Sequence, residues 1–401
     1  MRAYSAPAEE ALHASRLLKD WADEGFITEA QYQRMQAETP CDLRHTNLFL
    51  RLVLFLFTSI VVGAATALFF VLFPTPAVRT TGIFLLIFAA LSCAAAELAV
   101  LGAQLYRYGI EEALATGAVV FLCAGLQGAF FSGYAGSPAS GSVQWPVPAA
   151  GAIASLWIWH RFGLSYAFPA AMIFVVWLPG YWTSSQSAQH LIIAAFYAAA
   201  LTIVFALRSR HRFTYLNTKF SIAEALLWLG IYLAINLQLL AINLPGRWLV
   251  DYQAIPEVSR PFYWSTWILT WCLPPVAIVR GLRRKDRLVI AAGAIVGILT
   301  LVTNKPYLGW PTHSWDPMLL GALLIGVALF IRRWLAAGPD GIRRGFTARR
   351  LSGADKLWMN AGSAALGLVS PSAMIPGPQP TAPVVRFGGG DSAGGGATSD
   401  F

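Results

Sequence analysis

KFSIAEALLWLGIYLAINLQLLAIN, residues 219–243, is an apolar run interrupted by Glu224, Asn236 and Gln238. A helix needs about 20 predominantly apolar residues to cross a hydrocarbon core, and this run supplies them. Its reading as a membrane span decides the fold class of the chain. Polar groups deep in a span are expensive to keep, so they mark the segment as the first place to look for function. By helical spacing Tyr232, Asn236 and Asn243 share one face and Gln238 points nearly opposite, while Glu224 lies about one turn in from the start.

Runs of the same kind recur on both sides of it. Ten spans are expected, over roughly 48–73, 78–101, 112–133, 143–160, 162–180, 189–207, 220–243, 262–280, 287–304 and 317–334. The fourth and fifth are short and joined tightly through His160, Arg161 and Phe162, which leaves a re-entrant pair as the alternative there. Composition agrees, because 56% of the 401 residues are hydrophobic and only 12% charged, against about 25% charged in soluble domains. The expected fold is therefore all-α, a polytopic transmembrane helical bundle over residues 47–335.

Charge sets the orientation. Of the 29 Lys and Arg, only Arg79, Arg247, Arg260 and Lys305 fall on one side of this arrangement, so the positive-inside rule places both termini in the cytoplasm. The net charge of +9 is then a feature of the cytoplasmic membrane face, not of a nucleic-acid surface. On that face RSRHRFTYLNTK and RGLRRKDR are short basic clamps suited to anionic lipid headgroups, or topology determinants alone.

Residues 1–46 read as a cytoplasmic helical hairpin. Ala11, Ala14, Leu18, Trp21 and Ala22 recur at helical spacing, Gly25 stops that helix, and Thr28 with Gln31 forms a capping box for a second. Acidic residues outnumber basic ones up to Pro40, which argues against a helix-turn-helix DNA reader and for a hairpin that docks a protein partner or packs on its own chain. The first apolar run begins near Leu48 after this polar segment, so its helix is expected to be retained and not cleaved as a signal peptide. Residues 336–369 form a basic juxtamembrane segment in which Ile342, Phe346 and Trp358 can lie on the inner leaflet. Residues 370–401 are Gly- and Pro-rich and read as a disordered tail. Cys93, Cys123 and Cys272 lie in spans as packing residues, and Cys41 just before the first span reads as a free thiol.

No phosphate-binding loop, HExxH box, GxSxG elbow or paired CxxC occurs, so no cofactor, metal or catalytic residue is assigned. The candidate polar intramembrane site comprises Glu224, Tyr232, Asn236 and Gln238 on the seventh span with Gln127 and Thr116 on the third. Two readings stand: a polar pathway between these helices, or neutral amides that tie helices together at about 1 kcal/mol per hydrogen bond. Glu97, Glu111 and Glu112 sit near cytoplasmic ends where water can reach them. On the outer side His190, Asp251, Glu257, Arg260, His313 and Asp316 offer acid/base or metal-binding groups, but their spacing fits no ligand pattern.

LLKDWADEGFITEAQYQRM at 17–35, with spans beginning GIEEALATGAVVFL and FSIAEALLWLGIYL, resembles a bacterial family of predicted integral membrane proteins of unknown function. Its members start with a short hairpin of this kind and carry many spans. Residues 388–401, GGGDSAGGGATSDF, resemble Gly-rich tails ending in an aromatic on some bacterial envelope proteins. The resemblance implies a multi-pass protein of the bacterial inner membrane and brings no activity with it. The expected role is non-enzymatic, organising or sensing at the envelope; a transporter or lipid-translocating protein and a membrane-embedded transferase are the alternatives. Oligomeric state is not encoded in any motif.

Overall fold

The structure, a computed structural model, describes residues 3–4, 6–23, 25–38, 48–74, 77–131, 143–211, 217–239, 258–310, 313, 315–338, 342–343 and 346–347. Expectations about Cys41, Asn243, Asp251, Glu257, Trp358 and the Gly-rich tail fall outside these residues. Two short helices, α1 (Ala6–Asp23) and α2 (Glu29–Glu38), come first. They are followed by α3 (Leu48–Leu72), α4 (Val78–Ala103), α5 (Ile110–Phe130), α6 (Pro146–Arg161), α7 (Ala167–Trp177) and α8 (Pro179–Trp182). Then come α9 (Gln186–Arg210), α10 (Asn217–Ile235), α11 (Arg260–Arg284), α12 (Arg287–Tyr307) and α13 (Asp316–Ala336). Beyond α13, Ile342–Arg343 and Phe346–Thr347 make a two-residue antiparallel pairing.

Eight of these helices are long and apolar enough to cross a membrane: α3, α4, α5, α9, α10, α11, α12 and α13. The fourth and fifth expected spans are shorter. α6 has 16 residues, and α7 gives way to α8 at Leu178, because Pro179 has no N–H to continue the ladder. Together α7 and α8 cover Ala167–Trp182. They still pack against each other and the core, through Trp159, Phe162, Leu164 and Phe168.

The architecture is a row of antiparallel hairpins: α4 on α5, α6 on α7, α9 on α10 and α11 on α12. The helix ends that carry Arg161, Arg208 and Asp286 lie on the side where the N-terminal segment docks, called here the N-terminal face. The α11–α12 link is only Lys285, in the left-handed region, and Asp286, whose carboxylate caps α12 by accepting from the N–H groups of Leu288 and Val289. Small residues let α4 and α5 approach closely: a Cβ built on Gly82 would lie 2.1 Å from the backbone nitrogen of Ala129. Gly109, with φ of 106° and its α-carbon against the Arg51 carbonyl of α3, is held to glycine by both conformation and space.

Burial is uneven. α10 is the central helix and packs on α9, α11, α12 and α7, with Leu227 and Tyr232 fully enclosed. α3 and α13 stand at the periphery with apolar residues on all sides, the pattern of a helix bathed in lipid. α13 is fastened at its outer end by Lys305 Nζ to Asp316 Oδ1, at 2.5 Å.

α1 and α2 form the expected hairpin. The Thr28 N–H donates to Gln31 Oε1 at 2.9 Å and the Gln31 N–H to Thr28 Oγ1 at 3.3 Å, a reciprocal capping box. Gly25 takes a φ of 76° at the turn. Leu12 and Leu18 are buried, whereas Trp21, expected on the same face, is 46% exposed.

Candidate functional site

Four charged side chains meet at the N-terminal face of the α9–α12 bundle. Arg208 stands on the last turn of α9, where a cation complements the helix dipole, and Asp286 stands at the start of α12, where an anion does. Glu224 projects from α10 with no exposed surface. It accepts from Arg208 Nη1 at 2.6 Å on Oε2 and from Arg280 Nε at 2.7 Å on Oε1. Arg208 Nη2 reaches Asp286 Oδ2, which also accepts from Ser221 Oγ at 2.6 Å, and Arg208 Nε donates to Asn217 Oδ1 at 3.0 Å. Two cations and two anions thus cancel, and Arg208 spends every nitrogen on a partner. Such a cluster locks four helices in one arrangement, since each partner alone would be an uncompensated buried charge.

Further pairs extend the same layer. Arg51 of α3 grips Glu112 of α5 with both oxygens, at 3.0 and 2.5 Å, and Arg161 of α6 grips Glu97 of α4, at 2.7 Å twice. The expectation that water reaches Glu97, Glu111 and Glu112 is overturned for Glu111, which has no exposed surface, and for Glu112, which is buried; Glu97 stays partly exposed within its ion pair. Glu111 Oε1 accepts the Tyr108 N–H at 2.7 Å, while its Oε2 is buried without a partner. The N-terminal segment closes over this corner. The Ala3 N–H donates to the Arg161 carbonyl at 2.9 Å, and the Tyr4 ring meets Tyr106 edge-on at 4.8 Å. Burial, and after it the Glu111 carboxylate, pushes the Tyr4 phenol well above its usual range.

A second polar cluster lies toward the opposite face, where α10 breaks. The continuous helix ends at Ile235, and a further helical turn occupies residues 237–239. Asn236 sits between them as an N-cap: its Oδ1 accepts from the N–H groups of Gln238 at 3.1 Å and Leu239 at 3.2 Å. The backbone groups released by the break find substitutes. The Leu237 N–H donates to Tyr307 Oη at 2.7 Å, and the Ala234 carbonyl is met by His190 Nδ1 at 2.6 Å. A carbonyl only accepts, so Nδ1 carries the imidazole proton. Asn236 Nδ2 in turn donates to Tyr232 Oη at 2.8 Å and Thr303 Oγ1 at 3.0 Å, and Thr300 Oγ1 lies 3.1 Å from Tyr232 Oη.

This geometry revises the helical-wheel reading of the seventh span. The side chains of Asn236 and Gln238 do face different neighbours, Tyr232 and Thr303 for Asn236 and Tyr263 for Gln238, whose Nε2 donates to Tyr263 Oη at 3.3 Å, but the break lets the Gln238 backbone N–H bond Asn236 Oδ1. Glu224 does not pair with Lys219, which donates to the Trp159 carbonyl at 2.5 Å and covers the Trp159 ring. By sequence Lys219 and Arg212 are the nearby cations that could pair with Glu224, and Arg212 lies outside the described residues. On α5, Thr116 Oγ1 and Tyr166 Oη are 3.5 Å apart, and Gln127 uses only its backbone carbonyl, for Phe131. α5 packs on α4, α3 and α6 rather than α10, so Gln127 and Thr116 do not join the polar groups of the seventh span.

Arg208, Arg280 and Asp286 were legible only as loop charges. A sharper signal was present: Arg208 and Arg280 each fall at the end of an apolar run, before the loop proper, and Asp286 precedes one as a cap does. Of the outer groups, His190 is spent on the helix break, the His313 N–H donates to Asp316 Oδ2 at 2.9 Å, and no metal-ligand cluster occurs among the described residues. No protein-family model, curated protein or solved structure matches this chain.

Proposed function

We propose that the chain is a non-enzymatic, multi-pass protein of the bacterial inner membrane that organises or senses at the envelope through its N-terminal hairpin. In this reading ten helices cross, both termini are cytoplasmic, and the basic N-terminal face rests against anionic headgroups. The observation that carries it is the insertion of Tyr4, 5% exposed, into the bundle core beside Tyr106 and Arg161. A hairpin keyed to the helix ends in this way moves when they move. Its other side keeps a cleft of about 270 Å³ lined by Ala14, Leu17, Leu18, Trp21, Met35 and Glu38, which suits a protein partner.

The test is complementation of a deletion strain under osmotic and detergent stress, with co-purifying proteins quantified at matched membrane levels. Full-length protein is expected to restore growth, removal of residues 1–40 to abolish both growth and partner, and Tyr4→Ala to weaken both. Unchanged growth and an unchanged set of partners after removal of residues 1–40 would falsify the role.

A second reading, a transporter or lipid-translocating protein, is favoured by the interruption of α10 at Asn236 beside the buried hydroxyls of Tyr232, Thr300 and Thr303, since transporter sites form at discontinuous helices. Tyr232→Phe removes one hydroxyl from that cluster and keeps the ring. A protein-dependent flux of solute or lipid in proteoliposomes should then stop while the folded amount holds; a flux that survives sinks this reading.

A further inference from the structure

α9 and α11 both pack on α10 and hardly on each other, so α10 is the floor of a groove between them. Near the N-terminal face Arg280 reaches across it from α11, its guanidinium carbon 3.4 Å from the centre of the Phe205 ring on α9. Arg280 Nε is taken by Glu224, but Nη2 is buried and has no acceptor among the described residues. On the floor Trp228, one turn along α10 from Glu224 and only 7% exposed, also holds a buried Nε1–H without an acceptor among the described residues. Its ring lies 6.5 Å from that of Phe205, so the two unused donors flank one side chain.

A buried donor left unpaired is costly, and inside a bilayer no bulk water relieves it. Two such donors in one groove therefore call for an acceptor from outside the chain. Their chemistry differs with depth. The outer donor is a guanidinium, 26% exposed and followed by Arg283 in the last turn of α11, which selects an anion. The inner donor is a neutral indole N–H in apolar surroundings about 6 Å deeper along the helix, which selects an uncharged oxygen. Phosphate diester above and acyl ester carbonyl below, with hydrocarbon beneath, is the sequence of groups along a phospholipid.

We propose that the groove between α9 and α11 binds one anionic phospholipid, its phosphate on Arg280 and an ester carbonyl on Trp228. The site rests on the reading of these helices as membrane-crossing, and not on the hairpin's role. Trp228→Phe is accordingly expected to leave complementation untouched, while loss of residues 1–40 leaves lipid retention untouched.

The experiment is native mass spectrometry and thermal unfolding of full-length protein from nanodiscs of phosphatidylcholine carrying graded phosphatidylglycerol. One phosphatidylglycerol should be retained and raise the unfolding temperature, with phosphatidylcholine alone giving neither. Trp228→Phe, which keeps an aromatic ring and removes only the donor, should weaken retention about tenfold, as loss of one buried hydrogen bond does. Arg280→Lys, which keeps the charge beside Glu224, should weaken it further. Equal retention in wild type and both variants would overturn the site. Equal stabilisation by millimolar inorganic phosphate would replace the lipid with a free anion. Retention of neither lipid would likewise overturn the site and leave the membrane reading, which rests on the eight long apolar helices, as it stands.

Discussion

Arg208→Met is expected to be the most damaging single substitution in the bundle, costing about 3–5 kcal/mol, the range for breaking a buried ion pair by removing one partner. Arg208 is 5% exposed and serves Glu224, Asp286 and Asn217 at once. Without it Glu224 keeps Arg280, but Asp286 keeps only Ser221 and its capping bonds, and a net negative charge is stranded at the helix junction. A surface pair would be worth less than about 1 kcal/mol, so the burial decides the magnitude. The double variant Arg208→Met, Asp286→Ser removes one charge of each sign while a serine still caps α12. It should recover most of the loss. Thermal unfolding and size-exclusion profiles of the solubilised protein check both. If the single variant unfolds with wild type, the cluster is not what holds the four helices together.

The bundle was readable from the chain because hydropathy is a long-range, redundant signal: twenty apolar residues in a row leave few alternatives. Partners of individual charges were not, because helical neighbours in space are far apart in sequence. Glu224 was legible as a costly residue, and Lys219 was its obvious local partner. Its true partners stand 16 residues before it and 56 after it, on helices whose rotation no spacing rule supplies. The same arginines whose number points to an orientation in the sequence also hold the junction by their position, and a count of charges reports only the first. The break in α10 was hidden for the opposite reason. Apolar residues continue through Ile242, so a periodic reading carries the helix past Asn236, whereas the Asn236 cap and the meeting with Tyr307 and His190 stabilise the interruption. Gln127 shows the limit of polarity as a guide, since an amide at depth drew attention to α5 but joins no cluster there.

Asn236→Leu is the substitution expected to rank next, because either structural response leaves buried polar groups stranded. If the break persists, the N–H groups of Gln238 and Leu239 lose their acceptor, and Tyr232 and Thr303 lose a donor. If α10 instead runs straight, Leu237 and Gln238 can bond back to Leu233 and Ala234 in the ordinary ladder. The Tyr307 hydroxyl and His190 Nδ1 are then the ones abandoned. Tyr232 and Thr303 keep bonds to Thr300 and the Leu299 carbonyl, so two groups are left unpaired on either path, and at about 1–3 kcal/mol each the loss is about 2–6 kcal/mol. Asn236→Ser keeps a capping oxygen and gives up only the contacts to Tyr232 and Thr303, so it should fall between. Hydrogen exchange separates the two responses: the Gln238 amide should exchange faster if the break persists and more slowly if the helix is restored. A Leu variant with wild-type unfolding and wild-type exchange would mean that the break is set by the residues around Asn236 and not by its side chain.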